Sequence, residues 1–226
     1  MRIELLEETS STNDYIKRYL AGGEDVAVCA RRQTGGRGTK GRSFLSDEGG
    51  VYLSFLTFYR NFPAEDAFRI MAHAAVAVCR TVRGFGVTPA IKWPNDVLAG
   101  GKKICGILIE NVLSGGLVQA SVVGIGVNVK NDVSALGGIA VSLANLLPQA
   151  PAVEAVRAAL IENYRRESDF QEYLSYVGFL GGEVRVSEGG REYVAVARRI
   201  LTDGRLEIEE QGKVRALSSA EISIML

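Results

Sequence analysis

The residues whose types and spacing could do chemistry are concentrated in one stretch, Gln33 to Phe44, which reads QTGGRGTKGRSF. It contains four glycines and three cations, Arg37, Lys40 and Arg42. Glycine lets backbone N–H groups turn toward a ligand, and the cationic groups add positive charge at the same place. The stretch therefore predicts a site for a phosphate or carboxylate, with a flexible, solvated basic hairpin as the alternative. Its spacing fits neither a Walker loop nor a dinucleotide fingerprint.

The overall composition predicts a globular protein of the cytoplasm. The 226 residues are 47% hydrophobic and include 26 acidic and 26 basic side chains. This balance argues against a protein that coats nucleic acid. No apolar run reaches the roughly 20 residues that cross a bilayer, and the N-terminus lacks the apolar core of a signal peptide. The length suits one core with a small appended domain.

Cysteine and histidine are not expected to carry the chemistry. Cys29, Cys79 and Cys105 are scattered through apolar segments, which predicts buried, unpaired thiols. The one histidine, His73, lies in the run MAHAAVAV, which predicts a core or half-buried position. A zinc site or a Ser/His/Asp triad would depend on this residue alone. Lysine, arginine, aspartate, asparagine and backbone groups must then do the work.

Apolar periodicity predicts alternating strands and helices. Strands are expected at residues 2–7, 26–33, 51–59, 89–93, 103–112 and 117–129. Helices are expected at residues 13–23, 66–83 and 151–174, the last broken near Ser168. From residue 181 onward, short alternating segments separated by EGG, TDG and QG turns predict a small β-barrel or sandwich. A boundary between residues 178 and 182 divides the chain into domains 1–178 and 179–226.

Several features leave two interpretations open. Ser11 or Thr12 could cap the first helix or turn its hydroxyl toward a ligand. Gly124 and Gly126 recur at period two in a strand, which predicts a bare floor for a planar ligand, with a bulge or close helix packing as the alternative. Gly106 would extend that floor from the preceding strand. Residues 130–141 lack periodicity and are expected to form a mobile loop, either a lid or a passive connection.

The turn after the fourth strand is a further candidate site. Pro94 should end that strand and present Asn95 and Asp96 at the turn. The carboxyl group of Asp96 could orient a reacting group there, or it could simply cap the turn.

Five motifs together resemble the biotin protein ligases. They are STN at 11–13, QTGGRGTKGR at 33–42, KWPND at 92–96, GKKICGILIE at 101–110 and GIGVNV at 124–129. Near the end, RRILTDGRLEIE resembles the SH3-like C-terminal domain of that family. The resemblance implies an α+β fold, with a mixed central sheet and packed helices of the class II synthetase and biotin ligase type, followed by a small SH3-like β-barrel. The pattern begins at Ser11, so we expect the monofunctional type without an N-terminal DNA-binding domain.

The resemblance also implies a reaction. Biotin and ATP, with Mg²⁺ present, would give biotinyl-5′-AMP. The biotinyl group would then pass to a lysine on the biotin carboxyl carrier protein of acetyl-CoA carboxylase or of a related carboxylase. Neither nucleic acid nor a membrane is an expected partner. An exposed sheet edge could pair across a twofold axis to form a homodimer.

The site residues implied by the resemblance fall into three overlapping groups, and none is identified as a metal ligand. The groups expected to contact biotin are Ser11, Thr12, Asn13, Gln33, Gly36, Arg37, Lys103, Gly106, Gly124 and Gly126. Those expected to hold the adenylate are Arg37, Gly38, Thr39, Arg42, Phe44, Lys103 and Asn128. The catalytic assignments are Lys103, Arg37 and Asp96.

Three other functions compete with this interpretation. A lipoate protein ligase is thought to share the fold and the adenylate chemistry, but the hydroxyl and amide groups of Ser11, Thr12 and Gln33 suit a ureido ring better than a dithiolane. A non-catalytic sensor of biotin or nucleotide would not need the cation Lys103 at a transfer point. A nucleic-acid-binding module is disfavoured by the zero net charge.

The sequence departs from the family pattern at Thr39, where a second arginine is common, and at Phe44, where tryptophan is common. Losing a guanidinium beside the adenylate would remove about 1.5 to 3 kcal/mol, and Lys40 is no equivalent replacement. We therefore expect the wild type to release more free biotinyl-adenylate than a Thr39→Arg variant, measured by chromatography of the reaction without carrier. Equal release would contradict this prediction.

Overall fold

The structure is a computed structural model and describes residues 1–218 and 222–225. Its larger sheet has seven strands. They are β1 (Arg2–Thr9), β2 (Val26–Gln33), β3 (Val51–Pro63), β4 (Pro89–Lys92), β5 (Asp96–Ala99), β6 (Lys102–Ser114) and β7 (Leu117–Val127). The strand order is β1-β2-β3-β7-β6-β5-β4. β1 and β2 are parallel, and all the other neighbours are antiparallel.

The turn after β4 differs from the prediction at one residue. Asn95 lies in the turn as expected, and its side-chain amide donates to the carbonyl of Ile107 (2.9 Å). Asp96 was expected in the same turn but instead opens β5, where it is paired with Lys92. The chain turns sooner than predicted, and strand pairing already includes Asp96.

Five helices pack around this sheet. They are α1 (Thr12–Ile16), α2 (Phe68–Gly84), α3 (Leu143–Leu146), α4 (Val153–Arg165) and α5 (Phe170–Ser175). The helix predicted at 13–23 is α-helical only as far as Ile16 and continues as a 3-10 helix to Gly22. The break predicted near Ser168 is confirmed, because it lies between α4 and α5.

The main core lies between one face of the sheet and the helices α2 and α4. α2 is buried over most of its surface, as its nearly continuous apolar sequence predicts. The ring of Phe55 on β3 stacks on Tyr164 of α4, with centroids 3.7 Å apart. On the opposite face, Ile16 of α1 packs with a smaller apolar cluster that includes Leu56 and Val122. Since α1 is short, it covers only part of this face.

The predicted positions of the cysteines and the histidine are confirmed. Cys29, Cys79 and Cys105 are buried free thiols, and burial raises the pKa of each. His73 is half-buried, and burial lowers its pKa. None of the helices in the described ranges combines the length and apolarity needed to cross a membrane.

A second, antiparallel sheet follows, as predicted for the C-terminal part. Its strands are β8 (Glu183–Glu188), β9 (Arg191–Ile200), β10 (Leu206–Glu210), β11 (Lys213–Leu217) and β12 (Ile222–Met225), in the order β11-β10-β9-β8-β12. Its buried side chains, among them Val186 and Leu206, belong to the same apolar cluster as α2. The exact domain boundary remains a prediction.

The two sheets are also joined by a hydrogen bond from the KWPND motif. Trp93 Nε1 donates to the carbonyl oxygen of Gly204 at 2.9 Å, and both residues are buried. A β-carbon at Gly204 would lie 2.2 Å from the ring of Phe68. The tryptophan therefore positions the C-terminal sheet against the body that carries β4 and β5.

Replacing Trp93 with phenylalanine keeps an aromatic ring but removes the donor. We expect Trp93→Phe to lower the free energy of unfolding by about 1 to 3 kcal/mol, because the buried carbonyl of Gly204 loses its partner. Urea denaturation followed by circular dichroism measures this change. An unchanged free energy would show that the hydrogen bond contributes nothing.

Candidate functional site

The glycine-rich basic stretch folds into a two-stranded hairpin. Arg37 and Ser43 form an antiparallel bridge, and the N–H of Gly38 donates to the carbonyl of Arg42 (2.7 Å). Lys40 and Gly41 occupy the turn with φ values of +58° and +71°. Two successive positive φ values match the tight hairpin turns that favour glycine.

The base of the hairpin is held closely against the sheet. The N–H of Gly35 donates to the carbonyl of Ser10 (2.8 Å), and the N–H of Phe44 donates to that of Gly36 (2.9 Å). A β-carbon at Gly36 would lie 2.4 Å from Phe44 O and 2.5 Å from Ser46 Oγ. Only glycine fits there, so Gly36 serves the closure of the hairpin. Its contact with a ligand remains a prediction.

Beneath the hairpin lies a polar cluster made of the buried residues Thr12, Asn13 and Ser54 and the half-buried Gln33. The N–H of Thr12 donates to Gln33 Oε1 (2.8 Å), and Ser54 Oγ donates to Asn13 Oδ1 (2.6 Å), which can only accept. The hydroxyl of Thr12 then has one proton for two neighbours, Gln33 Oε1 at 3.0 Å and Ser54 Oγ at 2.7 Å. One oxygen–oxygen contact therefore lacks a proton, and an entering N–H donor would complete the cluster.

The two interpretations of the first helix are decided by these contacts. Ser11 occupies the N-cap position of α1 but makes no side-chain capping hydrogen bond. Thr12 lies inside the helix, and its hydroxyl points to Gln33. Both residues are buried and line a small cavity together with Gln33. The capping interpretation is therefore wrong for both hydroxyls.

The predicted glycine face exists, but it is not bare. Gly106 and Gly126 are direct cross-strand partners, and Gly124 lies on the same face two residues away. A β-carbon at Gly124 would lie 2.3 Å from Asn13 Oδ1, and one at Gly126 would lie 2.5 Å from the ring of Phe44. The expectation of an open floor is thus wrong. The missing β-carbons admit protein side chains, and only about 40 Å³ of cavity remains.

Two cavities adjoin at Lys103. The small polar cavity is lined by Thr12, Gln33 and Arg37, and a larger one of about 700 Å³ is lined by Arg42 and Asn128. Four residues line both, namely Gly38, Thr39, Phe44 and Lys103. The ammonium of Lys103 therefore faces the junction of the two spaces.

Lys103 is paired with Asp96 at this junction. Lys103 Nζ lies 2.7 Å from Asp96 Oδ1 and 5.9 Å from the centroid of the Phe44 ring. The ammonium approaches the buried Oδ1 at a poor angle, and no hydrogen bond to this oxygen is present in the part of the chain that the structure describes. The turn-capping alternative for Asp96 is therefore not supported, and the carboxylate is directed at the lysine.

A second charged cluster lies at the mouth of the small cavity. Arg37 donates to Asp14 Oδ1 (2.6 Å) and lies 3.3 Å from Glu110 Oε2, while Lys17 lies 2.9 Å from Glu110 Oε1. Burial would raise the pKa of Glu110, but hydrogen bonds from Lys17 and Asn13, with the charges of Lys17 and Arg37, lower it overall. Glu110 is therefore an anion at neutral pH.

The remaining predicted residues are engaged within the protein. Arg42 donates to the carbonyl and to the hydroxyl of Thr39, at 3.3 and 3.2 Å. The buried amide of Asn128 donates to the carbonyl of Val141 (3.2 Å) and accepts from Asn131 (3.0 Å). These bonds fix the edge of the larger cavity, and the predicted contacts with an adenylate remain predictions.

The segment 130–141 is anchored at its end. The N–H of Val141 donates to the carbonyl of Lys103 (2.9 Å), and the N–H of Lys103 donates to that of Ile139 (3.0 Å). A 3-10 turn occupies Ser134–Leu136. The segment thus pairs with the start of β6 where it borders Lys103, and its mobility stays a prediction.

The sequence interpretation assigned no role to four residues of the site, Asp14, Lys17, Ser54 and Glu110. Ser54 is the lone serine in the apolar run VYLSFL, and it is fully buried. Glu110 follows Gly106 at period two along β6, so the same alternation that marked the glycine could have placed its carboxylate on this face. No local signal distinguishes Asp14 from other surface acids.

Comparison with known proteins identifies the family. The model of the biotin/lipoate A/B protein ligase family matches residues 5–128, more than half of the chain. The chain belongs to this family. The family predicted from the five motifs is thereby confirmed.

The similarity to curated relatives in this family extends beyond residues 5–128 of this chain. The biotin--[acetyl-CoA-carboxylase] ligase of Mycobacterium tuberculosis is 30% identical over 240 residues, covering 98% of this chain and 88% of the relative. The bifunctional ligase/repressor BirA of Bacillus subtilis is 30% identical over 217 residues. That match spans 89% of this chain but only 66% of the repressor's length.

Solved structures confirm the predicted fold class. The biotin protein ligase of Aquifex aeolicus in complex with biotin and ATP matches with a TM-score of 0.79 and 27% identity, over 99% of this chain and 98% of that one. The Leishmania major enzyme in complex with biotinyl-5-AMP matches with a TM-score of 0.67 and 25% identity, over 96% and 99%.

Alanine at position 124 tests why this ligase-family strand carries a glycine. The added methyl would meet the amide of Asn13, which cannot move without losing its bonds to Ser54 and Glu110. We expect Gly124→Ala to lower the free energy of unfolding by about 1 to 3 kcal/mol, measured in guanidinium chloride. Gly84→Ala is the control, because its methyl meets nothing within 4 Å. Equal free energies of unfolding for the two variants would contradict the claim that Asn13 excludes a methyl group at position 124.

Proposed function

We propose that this protein is an ATP-dependent biotin protein ligase. The observation that carries the proposal is the position of Lys103, whose side chain borders both the polar cavity and the larger one. A carboxylate in the first space and an α-phosphate in the second would meet at its ammonium. Two anions repel each other, so a fixed cation at their meeting point is what this activation requires. Relatives bound to biotin and ATP support the choice of substrates.

In the first step, an oxygen of the biotin carboxylate attacks the α-phosphorus of ATP. A carbon–oxygen–phosphorus anhydride forms, the bond to the β-phosphate breaks, and pyrophosphate leaves. Lys103 would neutralise the two anions as they meet, and Arg37 would add charge from the hairpin. The chain acts by positioning and electrostatics, because this step needs no protein nucleophile.

In the second step, the free amine of a carrier lysine attacks the carbonyl carbon of the anhydride. An amide forms, AMP leaves, and the amine gives up a proton. Asp96 lies 2.7 Å from Lys103, so its carboxylate is close to the same reacting carbon and would orient the amine or accept that proton. The relatives named as ligases of acetyl-CoA carboxylase support a biotin carboxyl carrier protein as the partner.

The polar cavity favours biotin over lipoate. The cluster of Thr12, Gln33 and Ser54 lacks one proton among its oxygens. A ureido ring brings N–H donors, whereas a dithiolane brings none and would leave the buried oxygens unsatisfied. Asn13 would help to align the ring from beside Gly124. Ser11 lines the same cavity, and its hydroxyl would contribute a further contact.

The glycine face is used only if Phe44 moves. Its ring lies against Gly106 and Gly126, where the valeryl chain of biotin would pass. We propose that ligand entry turns the ring outward into the larger cavity, where it offers a face to adenine. Arg42, held by Thr39, and the backbone at Gly38 would then contact the adenylate phosphate. Asn128 would border the ribose side.

Mg²⁺ is implied by the resemblance, but its binding is not assigned to this chain. The described ranges, 1–218 and 222–225, contain no cluster of three or more histidine, cysteine, aspartate or glutamate side chains that could hold it. Pairing of an exposed sheet edge in a homodimer stays a proposal as well.

The test is transfer of labelled biotin to a purified carrier domain. We expect Lys103→Ala to lose about 10²-fold or more in rate, the typical effect of removing one preorganised charge or donor at the reacting group. Lys213→Ala, an exposed lysine of β11, is the matched control and should transfer normally. Unimpaired transfer by Lys103→Ala would remove the role assigned to that side chain.

Two further measurements separate the alternatives. Biotin-dependent release of pyrophosphate distinguishes an enzyme from a sensor, since a sensor would bind without turnover. Calorimetric titration with biotin and then with lipoate, each in the presence of ATP, distinguishes the two ligase activities. A heat of binding observed with lipoate but not with biotin would overturn the choice of substrate.

A further inference from the structure

The glycine hairpin is attached to the body of the protein through Arg37. The guanidinium contacts Asp14, from α1, and Glu110, from β6, at 2.6 and 3.3 Å. Lys17 joins the same two carboxylates at 3.2 and 2.9 Å. Two cations and two anions thus balance at the mouth of the polar cavity, and three different elements meet there.

The side chain of Glu110 is fixed by hydrogen bonds from buried residues. Asn13 Nδ2 donates to Glu110 Oε2 (3.0 Å), and Asn13 Oδ1 accepts from Ser54 (2.6 Å). Asn13 and Ser54 are both buried, and Asn13 fits only because Gly124 lacks a β-carbon. The carboxylate that receives Arg37 is therefore preorganised by buried groups, while Arg37 itself belongs to the hairpin.

The other strand of the hairpin is connected to the same cluster. Ser46 Oγ donates to the carbonyl of Phe44 (3.0 Å) and accepts from Gln33 Nε2 (2.9 Å). Gln33 in turn accepts from Thr12. Both strands of the hairpin therefore lead back to the polar cavity, one through a charged contact and the other through neutral hydrogen bonds.

Thr39 contributes nothing to this attachment. Its hydroxyl and carbonyl accept only from Arg42 within the hairpin, as far as the described residues show. The side chain that stands where relatives commonly have an arginine thus makes an internal contact. Arg37, in contrast, is a charged link between the hairpin and the body.

We propose that Asp14 and Glu110 are positioning residues that fasten the glycine hairpin over the cavity through Arg37. Fastening slows the opening of the hairpin and, if the proposed ligase function holds, slows escape of the activated intermediate. Neither carboxylate needs to touch a substrate. They act on hairpin opening indirectly, by binding the guanidinium of Arg37.

Trypsin measures the opening directly, because the hairpin carries three of its cleavage sites, after Arg37, Lys40 and Arg42. We expect Glu110→Gln and Asp14→Asn, in the full chain, to be cut in the hairpin about three- to tenfold faster than the wild type, with the cut sites identified by mass spectrometry. A three- to tenfold change is the size expected when a partly exposed ion-pair network is lost. The cleavage rate reports the fraction of molecules in which the hairpin is open.

The control is Glu8→Gln on the edge strand β1. Glu8 forms an ion pair with Arg32, and both are about half exposed, as Asp14 and Arg37 are. Its loss should leave hairpin cleavage unchanged. Asp14→Glu, which keeps the charge, should restore slow cleavage. If Glu110→Gln fails to fold, Asp14→Asn decides alone, because this residue is on the surface. Wild-type cleavage of a folded Asp14→Asn variant would overturn the proposal.

A second readout separates this proposal from the proposed function. After a single turnover without carrier, the adenylate bound to the Glu110→Gln and Asp14→Asn variants should dissociate about three- to tenfold faster than the adenylate bound to the wild type. Faster trypsin cleavage of the hairpin with unchanged release of adenylate would overturn only the claim that the fastened hairpin retains the intermediate. Absence of any adenylate in the wild type would overturn the ligase function and leave the cleavage result standing.

Discussion

Four polar side chains, Thr12, Asn13, Gln33 and Ser54, lie against the middle of the large sheet and satisfy one another almost completely. Burying such groups without partners would cost several kcal/mol, on the order of 1 to 3 for each. Their mutual hydrogen bonds therefore fix the position of α1 relative to β2 and β3. The proton that the cluster lacks is what gives it a preference for a ligand with N–H groups.

The glycines of the site act through what they allow to approach. At Gly124 the neighbour is an asparagine amide, and at Gly126 it is an aromatic ring. Where a strand lacks a β-carbon, a protein side chain or a ligand can pack directly against its backbone. The amide at Gly124 is fixed by its hydrogen bonds, whereas Phe44 belongs to the hairpin, so only the second neighbour is free to give way.

Two cations of the site are already paired with carboxylates of the protein. Lys103 faces Asp96, and Arg37 faces Asp14 and Glu110. Pairing keeps these cations from repelling one another before anions arrive, and it holds them at defined places. An incoming carboxylate or phosphate must compete with a protein carboxylate.

The sequence by itself determined the order and type of most elements, the buried thiols, the family and the set of side chains that could do chemistry. These features are local: apolar periodicity, turn residues and motif spacing are legible without knowing what lies nearby in space. It also marked Gly124 and Gly126 as one face, because strand geometry repeats every two residues.

Only the tertiary structure decided which groups meet. Asn13 and Glu110 are 97 residues apart in the chain, and their hydrogen bond depends on sheet order, strand register and the depth at which α1 packs. The missing β-carbon of Gly124 predicted a close neighbour but could not say whether that neighbour is a ligand or an amide. The pairing of Arg37 with Asp14 is likewise set by where the hairpin lies on the folded sheet, since a short-range charged contact carries no signature in the linear chain.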